Sequence, residues 1–281
     1  MTFISESLRA ATASLAEAGI DSARLDARLL LGEVLGRDAT WLFNHGGDVL
    51  DDGARAAFAA LIEKRRDRQP ISLILGRREF WSLDFTVTRD TLAPRPDSET
   101  LVEAVLADLS DRGRPLSLLD LGTGTGCLLL ALLSELPAAR GIAVDIDPAT
   151  LAVARGNAER LGLAGRARFV QSDWYEKITG RFDVIVSNPP YIPSQDIAGL
   201  DPEVARFEPQ GALDGGADGL DAYRLLAAAL GDFLAADGLA AFEVGAGQAP
   251  DVAALLARAG FASCSIRRDL AGIERCVLAR R

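Results

Sequence analysis

The spacing of apolar residues changes about a quarter of the way along the chain. Up to about residue 75 it is helical, as in SARLDARLLLGEVLG and DDGARAAFAALIEKRRDR. In the first segment Leu25, Leu29 and Leu30 are expected to form the buried stripe, with Ser22 as N-cap. The basic run that ends the second segment is interpreted as a solvated helix end rather than a nucleic-acid patch. We therefore predict a small helical domain over residues 1–75.

A short alternating stretch follows, REFWSLDFTVT, which predicts a β-hairpin linker over residues 76–92. The side chains expected to be buried are Phe80, Leu83, Phe85 and Val87. Next, LAPRPDSE contains two prolines that fix a loop before a helix, which either Asp97 or Ser98 would cap.

From about residue 115, short apolar runs alternate with helical sequence: LSLLDLG, GIAVDID, ARFVQSD, FDVIVSN and LAAFEVG. This alternation predicts an α/β fold with a parallel sheet. The tail, FASCSIRRDLAGIERCVLAR, offers two more strands with little room for a crossover helix, so they are expected to form an antiparallel hairpin at the sheet edge. Residues 93–281 are thus predicted to form a mostly parallel seven-stranded sheet.

Composition narrows the class of protein. No apolar run reaches 18 residues, so no membrane span is expected, and MTFISESLRAATASLAEAG lacks the features of a signal peptide. The three cysteines are far apart, which argues against a disulfide framework or a zinc site and fits a cytoplasmic protein. The formal charge of −10 disfavours binding to nucleic acid. No oligomerisation signal is apparent, so a monomer is expected.

In parallel sheets ligands bind outside the carboxyl ends of the strands, and polar motifs stand at those positions here. The first, DLGTGTGCL, has glycines at 122, 124 and 126 in GxGxG spacing, which differs from the GxGxxG of dinucleotide-binding loops. By itself it is either a tight turn or a loop that lets a ligand approach the backbone.

The next two strands also end in candidate ligand-binding residues. Asp145 lies 19 residues beyond Gly126, where a carboxylate can accept hydrogen bonds from a ribose, while Asp147 is expected to cap the following helix. After the third strand, Asp173 is placed to bond an adenine amino group and Trp174 to pack on its ring, unless the tryptophan belongs to the core. Together these residues indicate a cofactor that contains a nucleoside.

The fourth strand runs into SNPPYIP, residues 187–193, where two adjacent prolines must end it. A planar NH₂ group is a poor nucleophile because its lone pair is delocalised. The Asn188 side-chain carbonyl and the Pro189 backbone carbonyl are suited to accept its hydrogens and to favour a pyramidal nitrogen. Tyr191 is expected to pack on the flat face, and Pro190 to stiffen the segment. The alternative is a proline-rich turn without chemistry.

These motifs together resemble the class I S-adenosylmethionine-dependent methyltransferases. Their order further resembles the release factor glutamine methyltransferases, the PrmC/HemK family, over nearly the whole chain. The segments that carry this resemblance are LDARLLL, LGRREFWSLDFTVT, LAPRPDSE, DLGTGTGCL, VSNPPYIP, FEPQGALDGGADGLDAYR and FEVGAGQ. The family usually has Ile where this chain has Ala93, and Glu-Thr where it has Asp97-Ser98.

The resemblance implies a Rossmann-like class I methyltransferase sheet. It also implies methylation of the glutamine side-chain amide in the Gly-Gly-Gln motif of class I peptide chain release factors. S-adenosyl-L-methionine would be the methyl donor, S-adenosyl-L-homocysteine the product, and no metal is expected. The expected cofactor-binding residues are Gly122, Thr123, Gly124, Thr125, Gly126, Asp145, Asp173, Trp174 and Asn188. The expected substrate-binding residues are Asn188, Pro189, Pro190 and Tyr191, of which Asn188, Pro189 and Tyr191 are the expected catalytic ones.

Direct in-line transfer is the mechanistic hypothesis, with the methyl carbon at a near-attack distance of roughly 3–3.5 Å from the nitrogen. Because the nitrogen loses its proton after attack, no histidine base is required, and the single histidine, His45, lies in the helical region. The alternatives are a ribosomal-protein glutamine methyltransferase, a nucleic-acid adenine methyltransferase and an inactive binding module. The N-terminal helices are expected to dock the protein substrate.

Overall fold

The chain forms two units in the computed structural model, which describes residues 1–261 and 263–280. The first, here called the helical unit, comprises Met1–Gly76 together with Asp201–Phe207. The second, the sheet unit, comprises Arg77–Leu200 and the chain from Glu208 onward. Ala262, which the prediction includes in the tail hairpin, and Arg281, the last residue of the predicted 93–281 domain, lie outside the described residues.

The helical unit is built from amphipathic helices around one apolar core. Its N-terminal elements are β1 (Thr2–Phe3), α1 (Ile4–Glu17), α2 (Ala23–Leu35), α3 (Ala39–Asn44), β2 (Val49–Leu50), α4 (Asp52–Arg66) and α5 (Ile71–Leu75). The two short strands pair antiparallel. Leu15, Leu30, Leu31 and Phe58 are among the fully buried side chains of this core.

The predicted stripe of α2 is wrong in phase. Leu30 is buried, but Leu25 and Leu29 are 59% and 42% exposed. The reason is Asp26, which faces inward and accepts a 2.7 Å hydrogen bond from Arg65 Nε. Since residues four apart share a helix face, Asp26 and Leu30 point to the core together and turn the other two leucines outward.

Two further expectations for these helices need correction. Ser22 occupies the N-cap position of α2, but its hydroxyl donates to Asp26 Oδ2 at 2.9 Å and caps no backbone amide. The end of α4 is solvated only in part, because Arg65 is buried between Asp26 and Glu203, both of which it contacts as ion pairs. A buried charge requires such partners, which explains why this arginine lies inside.

Within the described residues, seven strands form the main sheet, in the order β10-β11-β9-β8-β5-β6-β7. Their bounds are β5 (Ser117–Leu121), β6 (Arg140–Asp145), β7 (Ala167–Gln171), β8 (Phe182–Ser187), β9 (Leu234–Glu243), β10 (Ser263–Arg268) and β11 (Glu274–Arg280). Strands β5 to β9 are parallel, whereas β11 runs antiparallel to both β9 and β10. The predicted fold class, including the antiparallel edge hairpin, is confirmed.

Helices cover both faces of this sheet. The helices of this part of the chain are α6 (Glu99–Asp108), α7 (Cys127–Glu135), α8 (Pro148–Arg160), α9 (Pro202–Phe207), α10 (Asp221–Phe233) and α11 (Ala249–Arg258). Helices α6 and α7 pack on one face, and α10 and α11 on the other. Leu118 and Leu119 show the strand alternation, since they belong to the cores of opposite faces. Asp147 caps α8 as predicted, accepting from Ala149 N at 2.8 Å.

The sheet unit begins with a hairpin of β3 (Arg77–Phe80) and β4 (Leu83–Thr86). Its two turn residues, Trp81 and Ser82, both have positive φ, as a type I′ hairpin turn requires. Of the side chains expected to be buried, Phe80, Phe85 and Val87 are buried, while Leu83 is only partly covered.

Helix α9 belongs to the helical unit although its neighbours in sequence belong to the sheet unit. Its Glu203 accepts from Arg65 Nη1 at 2.9 Å and from Arg68 Nη2 at 2.8 Å. Arg206 adds a bond to the Asp67 carboxylate at 3.0 Å. Residues 201–207, which the sequence prediction includes in the 93–281 domain, are thus held by charges near the end of α4.

Candidate active site

Three neighbouring strands of the sheet end in register. Leu121 of β5 is level with Ser187 of β8, which is in turn level with Phe242 of β9. The Ser187 hydroxyl donates to the Leu121 carbonyl oxygen at 2.6 Å, which fixes two of these ends together. The residues that follow therefore emerge at one edge: Gly122, Asn188 and Glu243.

The glycine loop, residues 122–126, is bound to the end of β6. The Thr123 amide donates to the Val144 carbonyl at 2.8 Å, and the Gly124 amide donates to Asp145 Oδ2 at 3.1 Å. Asp145 Oδ1 accepts from the Asp147 amide at 3.2 Å, and partial burial raises the pKa of the Asp145 carboxyl. The predicted loop and the predicted acid are thus in contact.

Trp174 covers the start of the glycine loop. Gly122 has φ of +71°, and a Cβ built there would lie 3.6 Å from the Trp174 ring, so the ring rests against bare backbone. A side chain at position 122 would also be strained by its left-handed conformation. Trp174 is partly buried against the sheet, whereas the preceding residue, Asp173, is exposed.

Below the loop lies a carboxyl that sequence analysis did not single out. Asp120 is the last residue but one of β5, is fully buried, and accepts from the Thr123 hydroxyl at 2.6 Å through Oδ2. Burial raises its pKa to about 7, and its Oδ1 has no hydrogen-bond partner in the described parts of the chain. The side chains of Thr123 and Thr125 are buried as well, so the exposed surface of this loop is formed mainly by its glycines at 122 and 124.

The Asn-Pro-Pro-Tyr segment, residues 188–191, is held by a second loop, residues 213–219. The Ile192 amide donates to the Leu213 carbonyl at 3.0 Å, and the Gly215 amide donates to the Ile192 carbonyl at 2.8 Å. A Cβ at Gly219 would lie 2.3 Å from the Tyr191 carbonyl oxygen, so no larger residue fits there. The family segment LDGGADG is therefore required for this close packing.

Gln248 ties this segment to the end of β9. Its Nε2 donates to the Tyr191 carbonyl at 2.9 Å, and its Oε1 accepts from the Gly245 amide at 3.0 Å. Tyr191 itself is partly buried, and burial raises the pKa of its hydroxyl to about 12, so it stays protonated at neutral pH. Pro189 is buried, which leaves the segment little freedom to move.

The loop before α6 contributes Ser98 to this cluster. Asn188 Nδ2 donates to Ser98 Oγ at 3.4 Å. The expectation that Asp97 or Ser98 caps α6 with its side chain is wrong: Ser98 holds the N-cap position without a cap bond, and Asp97 pairs with Arg275 at 2.9 Å. Ala93, at the other departure from the family pattern, is buried.

Sequence analysis missed several residues of this cluster because their partners are remote in the chain. Ser98 meets Asn188 across 90 positions, and Gln248 meets Tyr191 across 57. The signal that was available for Gln248 and Glu243 is the segment FEVGAGQ, which spans the end of a buried strand as the other polar motifs do.

The histidine and the cysteines, which could in principle take part in chemistry, lie in surroundings that indicate a structural role. His45 lies in the helical unit, stacked on the Trp41 ring with 4.0 Å between centroids. The three cysteines are free, and burial raises the pKa of Cys127 to about 12, which leaves it a neutral thiol. Across residues 1–261 and 263–280, no group of three or more His, Cys, Asp or Glu is arranged to hold a metal ion. In the same residues no helix combines the length and apolar character needed to cross a bilayer.

The strand order, the reversed strand β11 and the glycine loop bound to an acid at the next strand end define a class I methyltransferase fold. Comparison with solved structures agrees: a methyltransferase from Pyrococcus furiosus matches with a TM-score of 0.52 and 17% identity over 70% of this chain and 88% of that one. This likeness concerns the fold alone.

The family follows from sequence relatives. Residues 6–76 match the PrmC N-terminal domain and residues 96–200 the methyltransferase small domain. The release factor glutamine methyltransferase of Rhodospirillum rubrum is 53% identical over 94% of this chain and 81% of its own length. The release factor glutamine methyltransferase of Cereibacter sphaeroides is 48% identical over 98% of this chain and 97% of its own length. The chain belongs to the release factor glutamine methyltransferase family.

Proposed function

We propose that the protein transfers a methyl group from S-adenosylmethionine to the side-chain amide nitrogen of glutamine in the Gly-Gly-Gln motif of class I release factors. The observation that carries this proposal is the juxtaposition of two sites: a rigid pair of carbonyl acceptors at the end of β8, and a glycine loop bound to Asp145 at the ends of β5 and β6. The first suits a planar NH₂ group, and the second suits a nucleoside-containing donor.

The residues around the glycine loop fit S-adenosylmethionine. Asp145 keeps free lone pairs beyond its bonds to Gly124 and Asp147, so it is available to accept from ribose hydroxyls. Trp174 offers an apolar ring for adenine, and Asp173 an exposed acceptor for its amino group. The backbone at Gly124 is open to a ligand, because a Cβ built there would meet no atom within 4 Å. When bound, S-adenosylmethionine supplies a methyl group activated by a sulfonium sulfur.

Residues 188–191 hold and orient the glutamine amide. The Asn188 side-chain oxygen and the Pro189 carbonyl each accept one hydrogen of the NH₂ group, which favours the pyramidal nitrogen of the transition state. The Tyr191 ring packs against the amide plane, and Pro190 prevents the two acceptors from swinging apart. Asn188 also borders the cofactor side, since it leaves β8 level with the glycine loop.

The methyl transfer requires no strong base from the enzyme. The carbon–sulfur bond breaks as the nitrogen–carbon bond forms, and the methylated nitrogen, strongly acidic at that moment, releases one proton to water. This order of events is consistent with a site whose tyrosine hydroxyl stays protonated and with the position of His45 in the helical unit.

We assign the helical unit a docking role for the release factor. It carries a groove of about 600 Å³ between α1, α2 and α3. Its lining includes Leu8, Arg9, Arg24, Arg28 and Phe43, of which Phe43 is 82% exposed. In a chain with a formal charge of −10, this basic and apolar groove suits an acidic protein surface.

We propose that the protein acts as a cytoplasmic monomer.

A methyl-transfer assay with radiolabelled S-adenosylmethionine tests the function. The substrates are an unmethylated release factor, its variant with alanine for the Gly-Gly-Gln glutamine, ribosomal proteins and DNA. Label on the intact factor alone supports the proposal. Label on ribosomal proteins or on DNA would keep the donor site but refute the substrate.

A further inference from the structure

Glu243 is a buried carboxyl next to the acceptor site of residues 188–191. It has no role in the methyl transfer proposed above. It ends β9 directly after Phe242, which is level with Ser187 of β8, and its exposure is only 2%. Its backbone is fixed, because the Tyr223 hydroxyl donates to the Glu243 carbonyl at 2.7 Å. Its Oε2 accepts no hydrogen bond from any residue in 1–261 or 263–280. Burying a carboxyl with one unpaired oxygen costs free energy of folding, so its presence at this position calls for a functional explanation.

The surroundings of Glu243 are specific. The Ser98 hydroxyl and the Asn188 amide lie close enough to lower its pKa, and the Arg275 guanidinium lowers it too. Burial, the largest effect, together with Asp97, outweighs them and raises the pKa to about 7. Other titratable groups that feel its charge are Cys127, Tyr191, Tyr223 and Cys276.

The chemistry of these groups sets the orientation of the Asn188 amide. By shape alone, the oxygen and nitrogen of an asparagine side chain are interchangeable by a half-turn. Here Nδ2 donates toward Ser98 Oγ at 3.4 Å, on the side where Glu243 lies. A carboxylate only accepts hydrogen bonds, so it favours NH₂ groups and hydroxyl protons facing it. The Asn188 oxygen is then left for the opposite side, where the substrate nitrogen needs an acceptor.

We propose that Glu243 is a positioning residue, which acts with Ser98 to keep the Asn188 oxygen directed at the substrate amide. The inference rests on the proposed function, since it presumes a substrate NH₂ group at that oxygen. A second consequence follows from charge. Positive charge moves from sulfur to nitrogen during transfer, and a carboxylate beside the acceptor stabilises it there, so the ionised form of Glu243 is the active one.

The test compares Glu243→Gln with the wild-type enzyme and with Glu274→Gln, a control on β11. Gln has the same shape as Glu but can donate as well as accept hydrogen bonds. It can therefore face either the nitrogen or the oxygen of the Asn188 side chain, and no longer fixes the orientation of that amide. We expect kcat on the release factor to fall by about 10- to 100-fold, with KM and S-adenosylmethionine affinity changed less than about threefold. The wild-type kcat is expected to rise with pH through about 7, and Glu243→Gln to lose this rise.

Ser98→Ala provides an independent variant that removes no buried charge. We expect it to lower kcat as well, and the double variant with Glu243→Gln to be no slower than the slower single variant, because both act through one amide. The inference would be overturned if Glu243→Gln kept the kcat and the pH profile of the wild-type enzyme. It would also be overturned if Glu243→Gln and Ser98→Ala each lost as much cofactor affinity as kcat. Failure of the wild-type enzyme to label the release factor would instead refute the proposed function.

Discussion

Gln248 donates a hydrogen bond from Nε2 to the Tyr191 carbonyl oxygen at 2.9 Å, and so joins the end of β9 to the segment that follows β8. The same nitrogen lies 3.4 Å from the Gly219 carbonyl oxygen, while Oε1 accepts from the Gly245 amide. One side chain thereby fixes three backbone segments around residues 188–191. The rigidity implied by two adjacent prolines thus depends on a partner far along the chain.

Replacing Gln248 by Glu should misplace Tyr191 with a minimal change of shape. A carboxylate has no hydrogen to donate, so it would repel the Tyr191 and Gly219 carbonyls that Gln248 now binds. We expect kcat to fall by about 10- to 100-fold, as for misplacements on the order of 1 Å, with cofactor affinity retained. Steady-state kinetics and calorimetry measure both quantities. Gln69→Glu, which adds the same charge in the helical unit, is the control, and equal kcat in the two variants would contradict the anchoring role.

Asp145→Ala should weaken S-adenosylmethionine binding with little effect on substrate binding. Loss of charge-assisted hydrogen bonds to the ribose costs about 1.5–3 kcal/mol per bond, or roughly 10- to 150-fold in Kd. Isothermal titration calorimetry gives this number directly. Asp147→Ala is the matched control, because it removes only the cap of α8. Unchanged affinity in Asp145→Ala would show that the ribose is bound elsewhere.

Asp120 should make the fold less stable as pH rises. Burial raises the pKa of the Asp120 carboxyl from the ordinary 3.8 to about 7 in the fold, so between these pH values the folded state holds a proton that the unfolded state has released. The stabilisation is complete below pH 4 and is lost as pH rises through 7, by at most about 4 kcal/mol.

Denaturant unfolding at pH 4 and pH 8 measures that loss. Asp120→Asn, which cannot ionise but can still accept from Thr123, should show a smaller difference between the two pH values than the wild-type protein. Asp237→Asn, at an exposed position, serves as the control. A pH dependence that is the same in wild type and Asp120→Asn would mean that this carboxyl is already ionised in the fold.

The groove of the helical unit should matter for intact release factor only. Arg24→Glu with Arg28→Glu reverses charge beside Phe43, and we expect KM for the intact factor to rise roughly tenfold, more at low than at high salt. A short Gly-Gly-Gln peptide should be unaffected, since it lacks the acidic surface of the intact factor that the groove would bind. Arg55→Glu with Arg66→Glu makes the same charge change on α4. If both double variants raised KM for the release factor equally, the effect would come from the net charge of the protein and not from the groove.

Much of the site was predictable because each motif contains its own physical constraint. The glycines at 122–126 and the prolines at 189 and 190 restrict the local backbone, and parallel strands bring their carboxyl ends to one edge. The face of α2 was mispredicted because a buried ion pair, Asp26 with Arg65, rotates the helix. Ser98 gave no local signal, and FEVGAGQ marks the place of Glu243 without its role, since both roles depend on contacts with Asn188 that only the folded chain creates.

The most direct test of the account is to locate the methyl group on the release factor by tandem mass spectrometry after reaction with wild-type enzyme and with Asn188→Ala. We predict one methyl group on the side chain of the Gly-Gly-Gln glutamine, formed about 10²–10³-fold more slowly by the variant, with cofactor affinity reduced much less. A methyl group on another residue, or equal rates for the two enzymes, would contradict the assignment of residues 188–191 as the site that holds the amide.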